Sequence, residues 1–120
     1  PYNSHSTGID ALWAGVPLVS CIGETFASRV GASMLRAVHL DELVTTDFEQ
    51  YQALAIDLYR DRDRLAKLRQ RLGGDKGRLP LFDMAGFARD MGDVLLRMWQ
   101  AHLGGRRNPI LVQNRDPGIR

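Results

Sequence analysis

The first ten residues bring together several groups that can bind an anion. They are small and polar, and they lead directly into an apolar helical pattern that includes Leu12 and Trp13. A loop that opens a helix presents backbone N–H groups without an intrahelical acceptor, and such groups bind anions, most often phosphate. The imidazole of His5 and the hydroxyls of Ser6 and Thr7 add side-chain donors. The opening segment therefore predicts an anion site at a helix N-terminus.

A carboxylate lies close to these donors in the sequence. Asp10 follows Thr7 by about one helical turn. A carboxylate at that distance can accept hydrogen bonds from the hydroxyls of a sugar. Groups for phosphate and for sugar side by side indicate a nucleotide or a nucleotide-sugar as the ligand.

The same residues also fit a purely structural interpretation. Thr7-x-x-Asp10 is a variant of the capping box with Asp in place of Glu, and Ser6 or Thr7 can serve as a simple N-cap. Both capping and anion binding therefore stay open at this point. Ser4, His5 and Asp10 are the residue types of a catalytic triad, but a triad is defined by geometry in space and not by proximity in sequence.

Composition excludes several classes of protein. With 120 residues, 44% of them hydrophobic and 25% charged, the chain has the profile of a globular domain with one modest core. Its net charge of +2 gives no electrostatic case for a nucleic-acid partner. No run approaches the roughly 18 apolar residues of a membrane span. The chain has a single cysteine, Cys21, which excludes an internal disulfide and favours a cytoplasmic location. No histidine lies at metal-ligand spacing from Cys21.

Helix and strand patterns alternate over the first third of the chain. We predict an α/β fold, rich in helix, with about two short parallel strands. The predicted elements are a helix at 7–14, a buried strand at 16–21, a helix at 25–37, a strand or turn at 38–44, and helices at 47–59, from Asp61 or Asp63 to 72, and from about 83 to 103. The apolar stripes predict that particular side chains of these helices are buried. These are Phe26, Val30, Met34 and Leu35 or Ala37 in the second helix, Phe48, Tyr51, Leu54, Ala55 and Leu58 in the third, Leu65, Leu68 and Leu72 in the fourth, and Phe87, Met91, Val94, Leu95, Met98 and Leu103 in the last.

Three motifs near the start of the chain form a specific combination. They are H-S-T-x-x-D at 5–10, A-G-V-P at 14–17 and G-E-T-F-A-S-R-V at 23–30. In this order and spacing they resemble the C-terminal part of the catalytic region of the O-GlcNAc transferase family. The resemblance continues through Glu49-Gln50-Tyr51, Pro80-Leu81-Phe82-Asp83 and Met98-Trp99, and so covers about residues 1–103.

The resemblance implies an activity and a set of site residues. Enzymes of this family are GT-B glycosyltransferases that move N-acetylglucosamine from UDP-GlcNAc to Ser or Thr of proteins, and no metal or other cofactor is implied. By resemblance, His5, Ser6 and Thr7 contact the UDP pyrophosphate, Asp10 holds the ribose hydroxyls, and Tyr2 lines the sugar pocket. No residue of this chain is assigned as the catalytic base.

The resemblance also implies a domain organisation. Residues 1–103 would form the C-terminal half of a Rossmann-like, nucleotide-sugar-binding GT-B domain, and 104–120 a flexible basic tail. The expected partners are a UDP-sugar donor, an acceptor protein or peptide, and the upstream transferase domain and helical repeats of a parent protein.

We expect the chain to be inactive by itself, because half of a cleft cannot hold the acceptor. The alternative is a non-catalytic, helical protein-interaction domain whose opening loop is only a capped turn.

Overall fold

The described part of the chain comprises residues 2–110 and 112 of a computed structural model. It divides into two compact units, Pro1–Asp83 and Met84–Arg120. The first unit contains the sheet and four of the α-helices, and the second contains one helix. Most of the predicted basic tail, at 111 and 113–120, lies outside the described residues.

The first unit is built around one βαβ arrangement. Strands β1 and β2 pair in parallel, with Ser20 opposite Val44 and Cys21 opposite Thr45. Parallel strands require a crossover, and helix α2 supplies it. The predicted helix-rich fold with two short parallel strands is therefore confirmed. In chain order the elements are α1 Ser6–Trp13, β1 Ser20–Cys21, a 3-10 helix Phe26–Ser28, α2 Val30–Ala37, a 3-10 helix Asp41–Leu43, β2 Val44–Thr45, α3 Phe48–Arg60, α4 Arg62–Gly73, a 3-10 helix Lys76–Arg78, and α5 Met84–Leu103.

The core of the first unit is formed by helices α1 to α4 and the turn that follows α2. Leu12, Leu35 and Leu72 have no accessible surface, and Cys21 is buried as the sequence predicts. Burial of a leucine side chain contributes about 1.5–3 kcal/mol, so this small cluster provides most of the apolar stabilisation. Its buried members are Leu12, Met34, Leu35, Val38, Leu40, Leu43, Leu58, Leu68 and Leu72.

The helix predicted over residues 25–37 is interrupted. The Ser28 hydroxyl donates to the Thr25 carbonyl at 2.9 Å, and the Ser28 N–H donates to the same oxygen at 3.1 Å. Such local side-chain bonds favour a turn over a regular helix. The segment therefore forms a 3-10 helix before α2 begins, and Phe26, predicted to be buried, is 83% exposed.

Helix α1 ends in a Schellman hydrogen-bond pattern. After α1, Gly15 N–H donates to Leu12 O at 3.0 Å and Val16 N–H to Ala11 O at 2.8 Å. This Schellman arrangement requires a positive φ, which Gly15 adopts at 79°. It also occupies Val16, so the strand predicted from residue 16 is reduced to Ser20–Cys21.

The second unit shows where the apolar patterns mislead. Helix α5 spans Met84–Leu103, close to the predicted bounds, yet most of its apolar stripe is exposed in the described structure. Burial needs a second element to pack against, and the described residues of this unit contain no other helix or strand. The exposed members are Phe87, Met91, Leu95, Met98 and Leu103, whereas Val94 is half-buried. In α3, likewise, Leu58 is buried but Phe48 and Tyr51 are exposed.

None of the helices in the described part of the chain is both long enough and apolar enough to cross a membrane.

Candidate functional site

The N-terminus of helix α1 lacks a side-chain cap. Its N-cap residue is His5, no side chain accepts from the first-turn amides, and Ser6 and Thr7 are already helical. The capping box considered for Thr7 and Asp10 is therefore not formed. The N–H groups of Gly8 and Ile9 donate to the His5 carbonyl at 2.9 and 3.2 Å.

Two backbone donors remain at this helix end. Within residues 2–110 and 112, the N–H groups of Ser6 and Thr7 have no hydrogen-bond acceptor. Both residues are exposed, so their hydroxyls are accessible to solvent. Free first-turn amides and the positive end of the helix dipole together favour an anion such as phosphate.

Gly8 has a packing role that the sequence did not reveal. It is buried, and a Cβ atom at this position would lie 2.8 Å from Met34 Cε and 3.1 Å from Ser4 Oγ. The missing side chain lets α1 approach α2 and the opening loop closely. Since the Gly8 amide is engaged with His5, the available donors are those of Ser6 and Thr7 rather than all three first-turn amides.

The loop before α1 is fixed to the 3-10 helix Phe26–Ser28. Asn3 N–H donates to the Ala27 carbonyl at 3.0 Å, and Asn3 Nδ2 donates to the Ser28 carbonyl at 2.7 Å. His5 Nε2 lies 3.4 Å from the same Ala27 oxygen. The first and third of the sequence motifs therefore meet in space.

Two aromatic rings hold the imidazole of His5. Tyr2 stacks on it with ring centroids 5.0 Å apart and planes inclined by 19°, and Phe26 meets it edge-on at 6.3 Å. Tyr2 is itself 80% exposed. Its outer face is thus open to a ligand beside the α1 amides.

Asp10 lies one helical turn along α1 from the free amides. It is exposed, and it shares a face of the helix with Ser6 because residues four apart are neighbours. One turn advances about 5.4 Å along the axis, which is a spacing suited to adjacent phosphate and ribose groups.

The described residues contain neither the triad nor the metal site that their residue types could form. The contacts of the His5 ring are with Tyr2, Phe26 and the Ala27 carbonyl, so no triad with Ser4 and Asp10 is formed. Nor do residues 2–110 and 112 contain a group of three His, Cys, Asp or Glu side chains able to hold a metal ion.

An open cleft of about 420 Å³ lies along strand β1. Four consecutive residues, 18–21, line it. Tyr2, Asn3, Ser4, Gly31, Phe48 and Tyr51 complete the lining.

The sequence analysis did not predict that Asn3 and Phe26 contact the loop and the His5 ring at this site. A signal was nevertheless present: the turn from Gly23 follows strand β1, and ligand loops of α/β sheets gather at the carboxyl ends of strands. A loop that opens a helix next to that edge is therefore expected near the turn.

Comparison with known proteins gives a consistent result. The model of glycosyl transferase family 41 matches residues 2–91. A UDP-N-acetylglucosamine–peptide N-acetylglucosaminyltransferase of Caenorhabditis elegans is 38% identical over 86% of this chain, and the probable enzyme SEC of Arabidopsis thaliana is 31% identical over 88%. The chain spans 9% and 11% of the lengths of these two relatives.

A solved structure agrees with these sequence matches. A mutant O-GlcNAc transferase of Thermobaculum terrenum superposes with a TM-score of 0.77 at 37% identity. The superposition covers 82% of this chain and 19% of that one.

Proposed function

Because the chain belongs to glycosyl transferase family 41, we propose that it supplies the pyrophosphate and ribose part of a donor site. The complete enzyme would transfer N-acetylglucosamine from UDP-GlcNAc to Ser or Thr of an acceptor protein. The observation that carries the proposal is the pair of free amides at Ser6 and Thr7, beside the His5 ring and one turn before Asp10.

The chemistry required of this half-site is stabilisation of a leaving group. When the bond between the sugar and UDP breaks, negative charge develops on the diphosphate. In this proposal the amides of Ser6 and Thr7 would donate to the diphosphate, the dipole of α1 would stabilise its charge, and the imidazole of His5 would contact it. Because these groups would stabilise the charge themselves, the proposal includes no metal or other cofactor.

The sugar and ribose are assigned to the flanks of the diphosphate. Asp10 would accept hydrogen bonds from the ribose hydroxyls on the same helix face as Ser6. Tyr2, stacked on His5 and open on its outer side, would line the pocket for the sugar.

The remaining parts of the enzyme would come from an upstream region. Among the described residues the sheet has two strands, which leaves one edge of β1 unpaired, and this edge suits a further parallel strand of the same domain. We propose that upstream domains and helical repeats of the parent protein provide this strand, the acceptor contacts and the catalytic base. A cytoplasmic location, favoured by the single Cys21, belongs to the same proposal.

A titration tests the assignment of the donor site. UDP is titrated into the complete transferase by calorimetry, with His5→Ala as the variant and His102→Ala, near the end of α5, as the matched control. We expect His5→Ala to weaken binding and His102→Ala to leave it unchanged. Equal affinities for wild type and His5→Ala would remove His5 from the site.

A second test concerns the chain alone. The 120-residue chain is assayed with UDP-GlcNAc and an acceptor peptide beside the complete enzyme. We expect no turnover, because the two reactants must be held within about 3–3.5 Å of each other and only one side of the cleft is here. Turnover comparable to the complete enzyme would contradict the placement of the acceptor site upstream.

One observation favours the second candidate, a protein-interaction domain. Helix α5 exposes Leu95, Met98 and Trp99 in the described structure, and exposed apolar surface marks docking sites for proteins. The same calorimetric titration separates the two functions. A complete protein that does not bind UDP would have an interaction domain here, and not a donor site.

A further inference from the structure

We infer that Asn3 is a positioning residue of the donor site, one that sets the affinity for the diphosphate without touching it. The inference rests on the proposed function. Asn3 precedes the N-cap of α1 by two residues, and neither the motif 5–10 nor any expected ligand contact includes it.

The first support comes from the hydrogen bonds of Asn3. Its backbone N–H and its side-chain Nδ2 donate to the consecutive carbonyls of Ala27 and Ser28, at 3.0 and 2.7 Å. The Nδ2 bond is much shorter than the 3.4 Å approach of His5 Nε2 to Ala27 O. Since hydrogen-bond strength falls with distance, Asn3 provides the main polar attachment of this loop.

The second support is the rigidity of the segment that Asn3 contacts. Ser28 is 1% exposed, its carbonyl also accepts from Gly23 N–H at 3.0 Å, and its hydroxyl lies 3.0 Å from Thr25 Oγ1. One residue before Gly23, Ile22 N–H donates to Thr45 O of β2 at 2.8 Å. The turn is therefore attached to the sheet, and Asn3 attaches the opening loop to the turn.

The third support is the space left for the Asn3 side chain. Gly31 of α2 is buried beside it, and a Cβ atom on Gly31 would lie 3.3 Å from Asn3 Nδ2 and 2.4 Å from Ser20 Oγ. A side chain at position 31 would clash with Ser20 Oγ and would also press against the Asn3 amide. The glycine thus leaves room for both neighbouring side chains.

Asn3 precedes His5 by two residues, so the contacts of Asn3 also constrain the residues that would bind the diphosphate. The backbone of His5 lies in an unusual conformation, with φ −111° and ψ −105°, and its carbonyl accepts the first two bonds of α1. A loop released from Ser28 would no longer hold that conformation. The imidazole of His5 and the amides of Ser6 and Thr7 would then no longer be held in place relative to the turn.

The experiment compares Asn3→Ala with wild type in the complete transferase. Asn108→Ala is the matched control, because Asn108 is an exposed asparagine outside any helix or strand. The probe is UDP by calorimetry, together with KM for the UDP-sugar, KM for the acceptor and the melting temperature. We expect Kd for UDP and KM for the donor to rise by about tenfold, less than the about hundredfold loss that a 1 Å misplacement can cause. KM for the acceptor should not change.

The outcomes are distinguishable. A purely structural role would lower the melting temperature and the active fraction while Kd per folded molecule stays at the wild-type value, which would overturn the inference. If wild type binds UDP and His5→Ala weakens it, but Asn3→Ala binds like Asn108→Ala, then the inference fails and the proposed function stands. If wild type does not bind UDP, the proposed function itself has failed, and the inference with it. Gly31→Ala provides a second variant, and we expect it to raise Kd in the same direction as Asn3→Ala.

Discussion

Helix α1 and helices α3 and α4 begin in different ways. Asp47 Oδ1 accepts from Gln50 N–H at 2.8 Å at the start of α3, and Asp61 Oδ1 accepts from Arg64 N–H at 2.8 Å at the start of α4. The first turn of α1 has no such carboxylate. In each of these two helices an aspartate thus accepts from the third amide of the helix. The corresponding amide of α1, Gly8 N–H, donates to the His5 carbonyl instead, and no carboxylate lies in the first turn beside the amides of Ser6 and Thr7.

The difference indicates a division between stability and binding. An N-cap aspartate stabilises its helix by about 1 kcal/mol, and α1 forgoes that contribution. Helix α2 also lacks a side-chain cap, but it continues from the 3-10 helix, whose Phe26 carbonyl accepts from Arg29 N–H at 3.0 Å. The start of α1 thus has neither a side-chain cap nor an acidic residue in its first turn, so no charge of that turn opposes an anion at the amides of Ser6 and Thr7.

The largest effect is expected when α1 is given a carboxylate of its own. Thr7→Asp places a negative charge at the second residue of α1, where α3 has Glu49 and α4 has Asp63. We expect UDP binding to weaken by about 3 kcal/mol, since two unit charges about 4 Å apart near a protein surface repel by about 4 kcal/mol. Hydrogen exchange in the first turn should slow, because a negative charge near the positive end of the helix dipole stabilises the helix by about 0.3–1 kcal/mol. Weaker binding with faster exchange would instead mean that the variant damages the helix.

A smaller effect is expected at Asp10. Asp10→Asn removes the charge and one acceptor and leaves the amides of Ser6 and Thr7 intact. We expect UDP binding to weaken by about 1–3 kcal/mol, the range for a hydrogen bond to a charged group. Folding stability should change less, as Asp10 is exposed and does not cap the helix. A lower melting temperature with unchanged affinity per folded molecule would reject the ribose assignment.

The smallest effect is expected at a capped helix. Asp47→Ala should increase hydrogen exchange in the first turn of α3 by an amount equivalent to about 1 kcal/mol. Affinity for UDP should stay at the wild-type value, since this carboxylate serves only α3. Asp61→Ala is the parallel variant for α4. A loss of UDP affinity in either variant would contradict the division between capped and open helix ends.

Local signals in the sequence were sufficient to locate α1, α3, α4 and α5. Periodicity and an aspartate before the helix correctly located the start of α3, and the structure selects Asp61 rather than Asp63 for the start of α4. The small polar residues before Leu12 correctly indicated a loop that enters a helix.

The failures concern side-chain burial and contacts, which periodicity alone does not determine. Phe26 was predicted to face the core, but the local bonds of Ser28 turn it outward. The stripe on α5 was predicted to be buried, yet burial requires a partner surface that periodicity cannot supply. Asn3 carries no local pattern, because its role depends on carbonyls 24 and 25 residues further along the chain.

The central claim is that the open amides of α1 receive the diphosphate of the donor. A crystal structure of the complete transferase with UDP tests it most directly. We predict diphosphate oxygens at hydrogen-bond distance, about 2.7–3.2 Å, from the N–H groups of Ser6 and Thr7, while Gln50 N–H and Arg64 N–H keep their aspartate acceptors. A bound UDP whose phosphates lie away from the first turn of α1 would contradict the account.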